Sequence, residues 1–320
     1  MVQVGSEFHL AWTIPALNMN GSKATTIQRF EVYRMIQPLS GSLPAPKEAA
    51  KTFQGTEIVT IDMANLSASL EGGKVIFTDK FSGIDPATLS TNRYWYAVKV
   101  RNKKRQDGGF SNIAIRPYLP VPAPVERIDI KAEEPVMLLS WNALSPTEAA
   151  GAKVVGYNIY RSEKSRVHPL SPINGSPVPL PHFEDRNFHF GTTYYYTVRA
   201  VVKEGAFTAE SFDSPEYSYK PVDVFPPKAP SGLMAVFAEG RINLLWDANF
   251  ESDFAGYNVY RSKDGISFTK INDVLLKSPT YRDEKTEPGK KYSYRVTALD
   301  ASGNESPPSE TIAGTAGGPG

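Results

Sequence analysis

A short stretch, GYNIYR at 156–161, returns as GYNVYR at 256–261, with a looser copy, RFEVYR, at 29–34. A catalytic motif is seldom carried in duplicate, whereas a core strand of a tandem module must be, so the repeat constrains the fold before any other feature does. Around it the chain lines up three times. FHLAW (8–12), VMLLSW (136–141) and INLLW (242–246) precede the copies, each a short apolar run closed by Trp. VIFTD (75–79), PHFED (181–185) and TYRD (280–283) follow, and then RYWYAVKV (93–100), TYYYTVRA (193–200) and KYSYRVTA (291–298). The order is constant and only the spacers change.

Alternate residues of a strand share a face. Tyr94, Tyr96, Val98 and Val100 therefore fall together, as do Tyr194, Tyr196, Val198 and Ala200, and Tyr292, Tyr294, Val296 and Ala298. These are the expected core faces. Lys99, Arg199, Arg295 and Thr297 lie on the other side, where a solvated sheet face is expected. Tyr157 with Ile159, and Tyr257 with Val259, point inward by the same alternation.

A Trp ending an early strand, a GYxVYR-like strand after it, and a Tyr-x-Tyr-x-Val strand entered through PGKKY (288–292) resemble the fibronectin type III module over nearly the whole chain. The resemblance implies an all-β chain of three tandem immunoglobulin-like antiparallel sandwiches in an elongated array. It implies structural core roles for Trp12, Trp141 and Trp246, and tyrosine corners at Tyr94, Tyr194 and Tyr292, each hydroxyl bonding back to upstream backbone. An immunoglobulin domain would carry a Cys pair and place its Trp one strand later, and this chain has no Cys.

Proline marks the boundaries, because it cannot donate to a ladder. RPYLPVPAPVER (116–127) and KPVDVFPPKAPSGL (220–233) separate modules expected at 1–117, 123–220 and 228–314. Each has its own Trp and Tyr-x-Tyr pair, so three separately folding modules are expected. The first strand of module 1 lacks the Pro-rich lead-in of the other two, which suggests an N-terminal truncation. From the YR of the copied strand to the Asp of the next block, module 1 spends 44 residues (35–78), module 2 spends 23 (162–184) and module 3 spends 21 (262–282). The extra length, 36–74, contains IQPLSGSLPAPKEAA, rich in turn formers, and TEIVTIDMANLSASL, whose apolar positions suit an edge strand or short helix. Insertions of this length are more often functional or disordered than idle, which makes it a candidate interaction surface, the alternative being an extra cover for a sheet edge with no partner.

The remaining candidates are few. Asp247, Asn249, Glu251 and Asp253 alternate as calcium ligands do, but Ser252 stands where an EF-hand loop has Gly, and a strand follows instead of a helix. A solvated acidic loop is the favoured reading. Lys103, Lys104 and Arg105 form a basic run on an expected hairpin; a solvated tip is the favoured reading, and contact with a phosphate or acidic glycan the alternative. His182 and His189 lack zinc-ligand spacing, and there is no GxSxG or HExxH. Asn20, Asn65, Asn174 and Asn304 begin glycosylation triplets.

The formal net charge of +1 gives no concentrated basic surface for nucleic acid, and no apolar run approaches the ~18–20 residues of a membrane span. Without Cys there is no disulfide or thiolate site. No cofactor is expected. The expected role is noncatalytic: a spacer, adhesion or protein- or glycan-binding rod of a bacterial envelope or secreted protein, its leader absent, of lipoprotein type if anchored. The alternative is a set of accessory modules from a secreted polysaccharide-degrading enzyme whose catalytic domain lies elsewhere.

Overall fold

The computed structural model describes residues 1–16, 27–71, 73–104, 106–144 and 153–317. The chain divides into two compact units, Met1–Pro221 and Val222–Gly320. The first holds modules 1 and 2, the second module 3.

Module 1 comprises β1 (Val2–Val4), β2 (Glu7–Thr13), β3 (Ile27–Pro38), α1 (Pro46–Thr52), β4 (Thr56–Asp62), β5 (Leu70–Glu71), β6 (Lys74–Asp79), β7 (Asn92–Asn102), β8 (Asp107–Phe110) and β9 (Ala114–Pro117). One layer runs β1-β2-β6-β5 and the other β4-β3-β7-β8, with β9 also on β7. Phe8, Leu10, Phe30, Val32, Val75, Tyr94 and Tyr96 are buried between them. Module 2 comprises β10 (Ile128–Glu133), β11 (Val136–Trp141), β12 (Lys153–Ser162), β13 (His182–Asp185), β14 (Tyr194–Glu204), β15 (Phe207–Glu210) and β16 (Tyr217–Tyr219). Its β10-β11-β13 sheet faces β12-β14-β15, with β16 also on β14.

Module 3 repeats this plan with β17 (Met234–Ala238), β18 (Arg241–Leu245), β19 (Phe254–Ser262), β20 (Thr269–Lys270), β21 (Thr280–Asp283), β22 (Lys291–Asp300) and β23 (Ile312–Thr315), in sheets β17-β18-β21 and β20-β19-β22-β23. Period-two alternation read the cores of modules 2 and 3 correctly: Tyr194, Tyr196, Val198 and Ala200, and Tyr292, Tyr294, Val296 and Ala298, are all buried. Trp141 and Trp246 are buried against Tyr157 and Tyr257, with ring centroids 5.2 and 5.1 Å apart. Trp12 is only partly buried, edge-on to Phe30.

Modules 1 and 2 are joined by a shared sheet. β1 runs parallel to β15 with Val4 opposite Glu210, and the Gly5 N–H donates to the Glu210 carbonyl at 2.7 Å. The β1-β2-β6-β5 layer thereby continues into β15-β14-β12. The Gln3 amide reinforces the seam: it donates to the carbonyls of Gly5 and Leu119 and accepts from the Leu119 N–H. Leu119 packs on Val202 and Ala209, and Arg116 donates to the Thr208 carbonyl with its guanidinium over the Phe8 ring. Burial brings the Arg116 pKa down to about 10. Separate folding is thus expected of module 3 alone, with modules 1 and 2 opening together.

Gly5 is required at this seam. Its φ is +56°, and a Cβ there would lie 2.3 Å from the Phe212 ring. Gly5→Ala combines a left-handed penalty with overpacking, so unit 1 is expected to lose ~1–3 kcal/mol. Hydrogen exchange would show faster amides at 207–210 and unchanged protection in unit 2; unchanged rates at 207–210 would contradict this account.

The 36–74 insertion packs against module 1. β4 adds an antiparallel edge strand to β3, from Arg29 opposite Asp62 to Arg34 opposite Thr56. In the stretch read as turn formers, Pro46 to Thr52 is helical, with Pro at the first turn. Ala49 and Phe53, four residues apart and therefore on one face, cover Trp95 and Ala97 on the outer side of the β3-β7 sheet.

Candidate functional site

The polar residues of the repeat converge on one constellation, built three times. In module 2, Arg161 Nη1 and the Tyr196 hydroxyl both donate to Asp185 Oδ2 at 2.6 Å, and Asp185 Oδ1 accepts from the Asn187 N–H. Arg261 and Tyr294 bond to Asp283 in module 3, and Arg34 and Tyr96 to Asp79 in module 1. In each the acid is buried and both oxygens are engaged. Burial first, and the adjacent carboxylate second, push the hydroxyl pKa of Tyr96, Tyr196 and Tyr294 far above the usual range. These groups are locked donors and acceptors, so they supply architecture rather than acid–base chemistry. Beside the module 3 copy opens a polar cleft of about 540 Å³, lined by Lys263, Asp264, Thr269 and Lys270. Asp264 is held well below the usual carboxylate range by the Ser262 hydroxyl and the N–H groups of Ser267 and Ile266.

Tyrosine corners are present at all three expected residues. The Tyr94 hydroxyl donates to the Leu89 carbonyl, while those of Tyr194 and Tyr292 accept from the N–H of His189 and Glu287. Other repeated contacts carried no recognisable sequence signal. Asn174 and Asn272 each accept from the strand N–H of Ile159 and Val259 and donate to three oxygens. Ser211 with Ser214, and Ser306 with Ser309, tie the last strand region to β14 and β22. The Gly of GYN has a steric cause: a Cβ at Gly156 or Gly256 would sit 2.7 or 2.8 Å from the carbonyl oxygen of Val178 or Leu276.

The outer face of β12-β14 is not the solvated surface expected of it. Arg199 is buried, bonded to Asp213 and Glu210, with its guanidinium 4.2 Å from the Tyr160 ring centroid. Glu210 also accepts from Asn158 and Tyr160, and module 3 repeats this with Glu305, Asn258 and Tyr260.

His9 faces this group across the seam. Its Nε2 lies 3.6 Å from Glu7 and its Nδ1 3.4 Å from the Thr78 hydroxyl. Burial lowers its pKa below 6.5, an effect opposed by Glu7, Glu210 and Asp213 and aided by Arg199. The native state then binds fewer protons than the unfolded one between that folded pKa and 6.5. This contribution to unit 1 is fully present above 6.5 and is lost as pH falls through the window. His168 Nδ1 lies 3.2 Å from the same Asp213 carboxylate. We expect His9→Gln to flatten the decline in unit 1 stability between pH 7 and 5; an unaltered slope would remove His9 from the account.

The residues singled out as a calcium loop are not gathered around one point. Asp247 accepts from the Ser231 hydroxyl, Asn249 donates to the Lys228 carbonyl, and Glu251 accepts from the Lys228 N–H, so three of them fasten the lead-in segment to the loop. Asp253 lies instead with Asp223 and Asp300, their carboxylate oxygens within 4.8 Å of one another. Lys103 and Lys104 are exposed at the β7–β8 turn, and Arg105 lies outside the described residues. His182 and His189 are exposed. Of the glycosylation triplets, Asn174 is buried with its amide fully engaged, Asn304 donates to Asp300, Asn65 is exposed, and Asn20 is outside the described residues. Among the described residues no helix is long and apolar enough to cross a membrane.

Paired sheets in this strand order, each closed by a corner tyrosine and repeated along one chain, define fibronectin type III modules, and the chain belongs to that family. No family model matches it. It is 34% identical to an Fn3-like protein from Clostridium thermocellum, with 27% of this chain and 90% of that one covered and a TM-score of 0.25. Among curated proteins it is 37% identical over 86 residues to an amylopullulanase of Thermoanaerobacterium thermosulfurigenes, covering 26% of this chain and 4% of that protein. It is 38% identical over 80 residues to an exo beta-1,2-glucooligosaccharide sophorohydrolase of Parabacteroides distasonis, covering 24% and 11%. The matches thus span one module's length and a small part of each enzyme.

Proposed function

We propose that the chain is a noncatalytic array of fibronectin type III modules that works outside the cytoplasm, as the spacer and scaffold portion of a secreted polysaccharide-degrading enzyme. The supporting observation is the module-length identity, 37% and 38%, to two enzymes named for glucan substrates, of which the matched segments make up 4% and 11%. The physical properties agree. The repeated buried carboxylates are consumed by Arg and Tyr partners, and the β1–β15 seam fixes the spacing of two modules as a spacer requires.

A second reading, a free-standing adhesion rod of the cell envelope that binds protein or glycan, is favoured by the exposed Lys103 and Lys104, which suit acidic groups. Incubating the purified chain with pullulan, starch and cellulose tests the noncatalytic claim. No release of reducing sugar is expected, and enzyme-concentration-dependent release would sink it.

A further inference from the structure

Phe250 is 91% exposed, the most exposed large hydrophobic side chain among the described residues. It stands on the loop after β18, at the lip of a cleft of about 390 Å³ lined by Lys228, Ser231, Asp247, Asn249 and Glu251. The loop is not free to fold the ring away. The Asn249 N–H donates to the Tyr257 hydroxyl at 2.7 Å, its side chain holds the Lys228 carbonyl, and Glu251 Oε1 takes the Lys228 N–H. Phe250 therefore sits between two clamped neighbours. Glu251 Oε2 is buried and receives no hydrogen bond from the described protein groups.

The fold does not demand this ring. Counting four residues on from the repeated Trp, module 1 has Ala16 and module 2 has Ser145 where module 3 has Phe250. One bond of the clamp is common to modules 2 and 3, since Leu144 donates its N–H to Tyr157 as Asn249 does to Tyr257. Module 3 thus presents an aromatic face, at a position where its sisters are small, next to fixed acceptors and donors. An apolar platform beside a few oriented polar groups is the composition of a small-ligand site, and sugars combine apolar C–H faces with hydroxyl groups that donate and accept.

We propose that this cleft binds a neutral oligosaccharide, with a pyranose ring stacked on Phe250 and its hydroxyls bonded to Glu251, Asp247 and Asn249. The inference rests on the scaffold reading above and gives it a ligand class.

The test is affinity electrophoresis and calorimetry of the full chain with pullulan, maltoheptaose, cellohexaose and a linear β-1,2-glucan. At least one is expected to bind. Phe250→Ala should weaken that binding by ~10-fold or more, while Phe250→Tyr retains it. Because the ring is solvated, Phe250→Ala should leave the thermal unfolding of unit 2 unchanged, and Lys103→Ala with Lys104→Ala should leave glucan binding unchanged. Binding undiminished in Phe250→Ala would overturn the site while the scaffold reading stands. Binding to none of the four would likewise overturn it, as would Phe250-dependent self-association in sedimentation without glucan binding. Failure of the scaffold reading would show separately, as reducing-sugar release by the chain itself.

Discussion

Asp185→Ala is expected to cost unit 1 about 3–5 kcal/mol, because breaking a buried ion pair leaves the remaining charge uncompensated. Arg161 would keep the Asn187 carbonyl and the face of the Tyr194 ring but no carboxylate, and the Tyr196 hydroxyl would lose its acceptor. Against a typical domain stability of ~5–15 kcal/mol, module 2 would be marginal or unfolded. Module 1 would be destabilised with it, since β1 pairs with β15 of module 2. Asp185→Asn retains an acceptor and should cost less. Urea unfolding of both variants, followed by amide exchange resolved to each module, checks the ranking. A variant Asp185→Ala that unfolds at the parent's midpoint would contradict a structural role for the triad.

Removing the module tryptophans should give a graded series. Trp246→Ala deletes a buried ring packed on Tyr257, and Phe or Trp truncations in cores cost ~3–5 kcal/mol. Module 3 is expected to unfold while residues 1–221 keep their protection. Trp141→Ala should cost as much but spread across the seam and loosen module 1 as well. Trp12→Ala should cost least, because that ring is only partly buried. Exchange measured at several denaturant concentrations distinguishes these patterns. If Trp141→Ala left module 1 fully protected, or Trp246→Ala unprotected it, the division of the chain into two cooperative units would be wrong.

Strand cores were legible in the sequence because a face of a strand is a local property, written at every second residue. Tyr194, Tyr196 and Val198 could be assigned without a partner in view, and so could the corner tyrosines once the family resemblance was drawn. The Arg–Asp–Tyr triads were only half legible. Both YR and the later Asp recur in all three modules, yet Arg161 meets Asp185 across 24 residues and Arg34 meets Asp79 across 45, distances that spacing does not fix. The helix Pro46–Thr52 was hidden among prolines and serines, although Ala49 and Phe53 carried a one-turn stripe. The seam was not legible at all. Val-Gln-Val announces a strand, and nothing in it announces that one of its two edges belongs to another module. The Phe250 cleft fell inside a loop read for its carboxylates, so its aromatic residue was passed over.

An unpaired sheet edge is a template on which other chains can add strands and aggregate, and proteins cover or blunt such edges. β15 has β14 on one side, and β1 occupies the other at Val4 and Gly5. The covering strand comes from the preceding module, so each partner's solubility depends on the other being folded. Joining modules edge to edge in this way makes the connection itself a safeguard against self-assembly, and it rests on a backbone contact that closes only where Gly5 leaves room for the Phe212 ring.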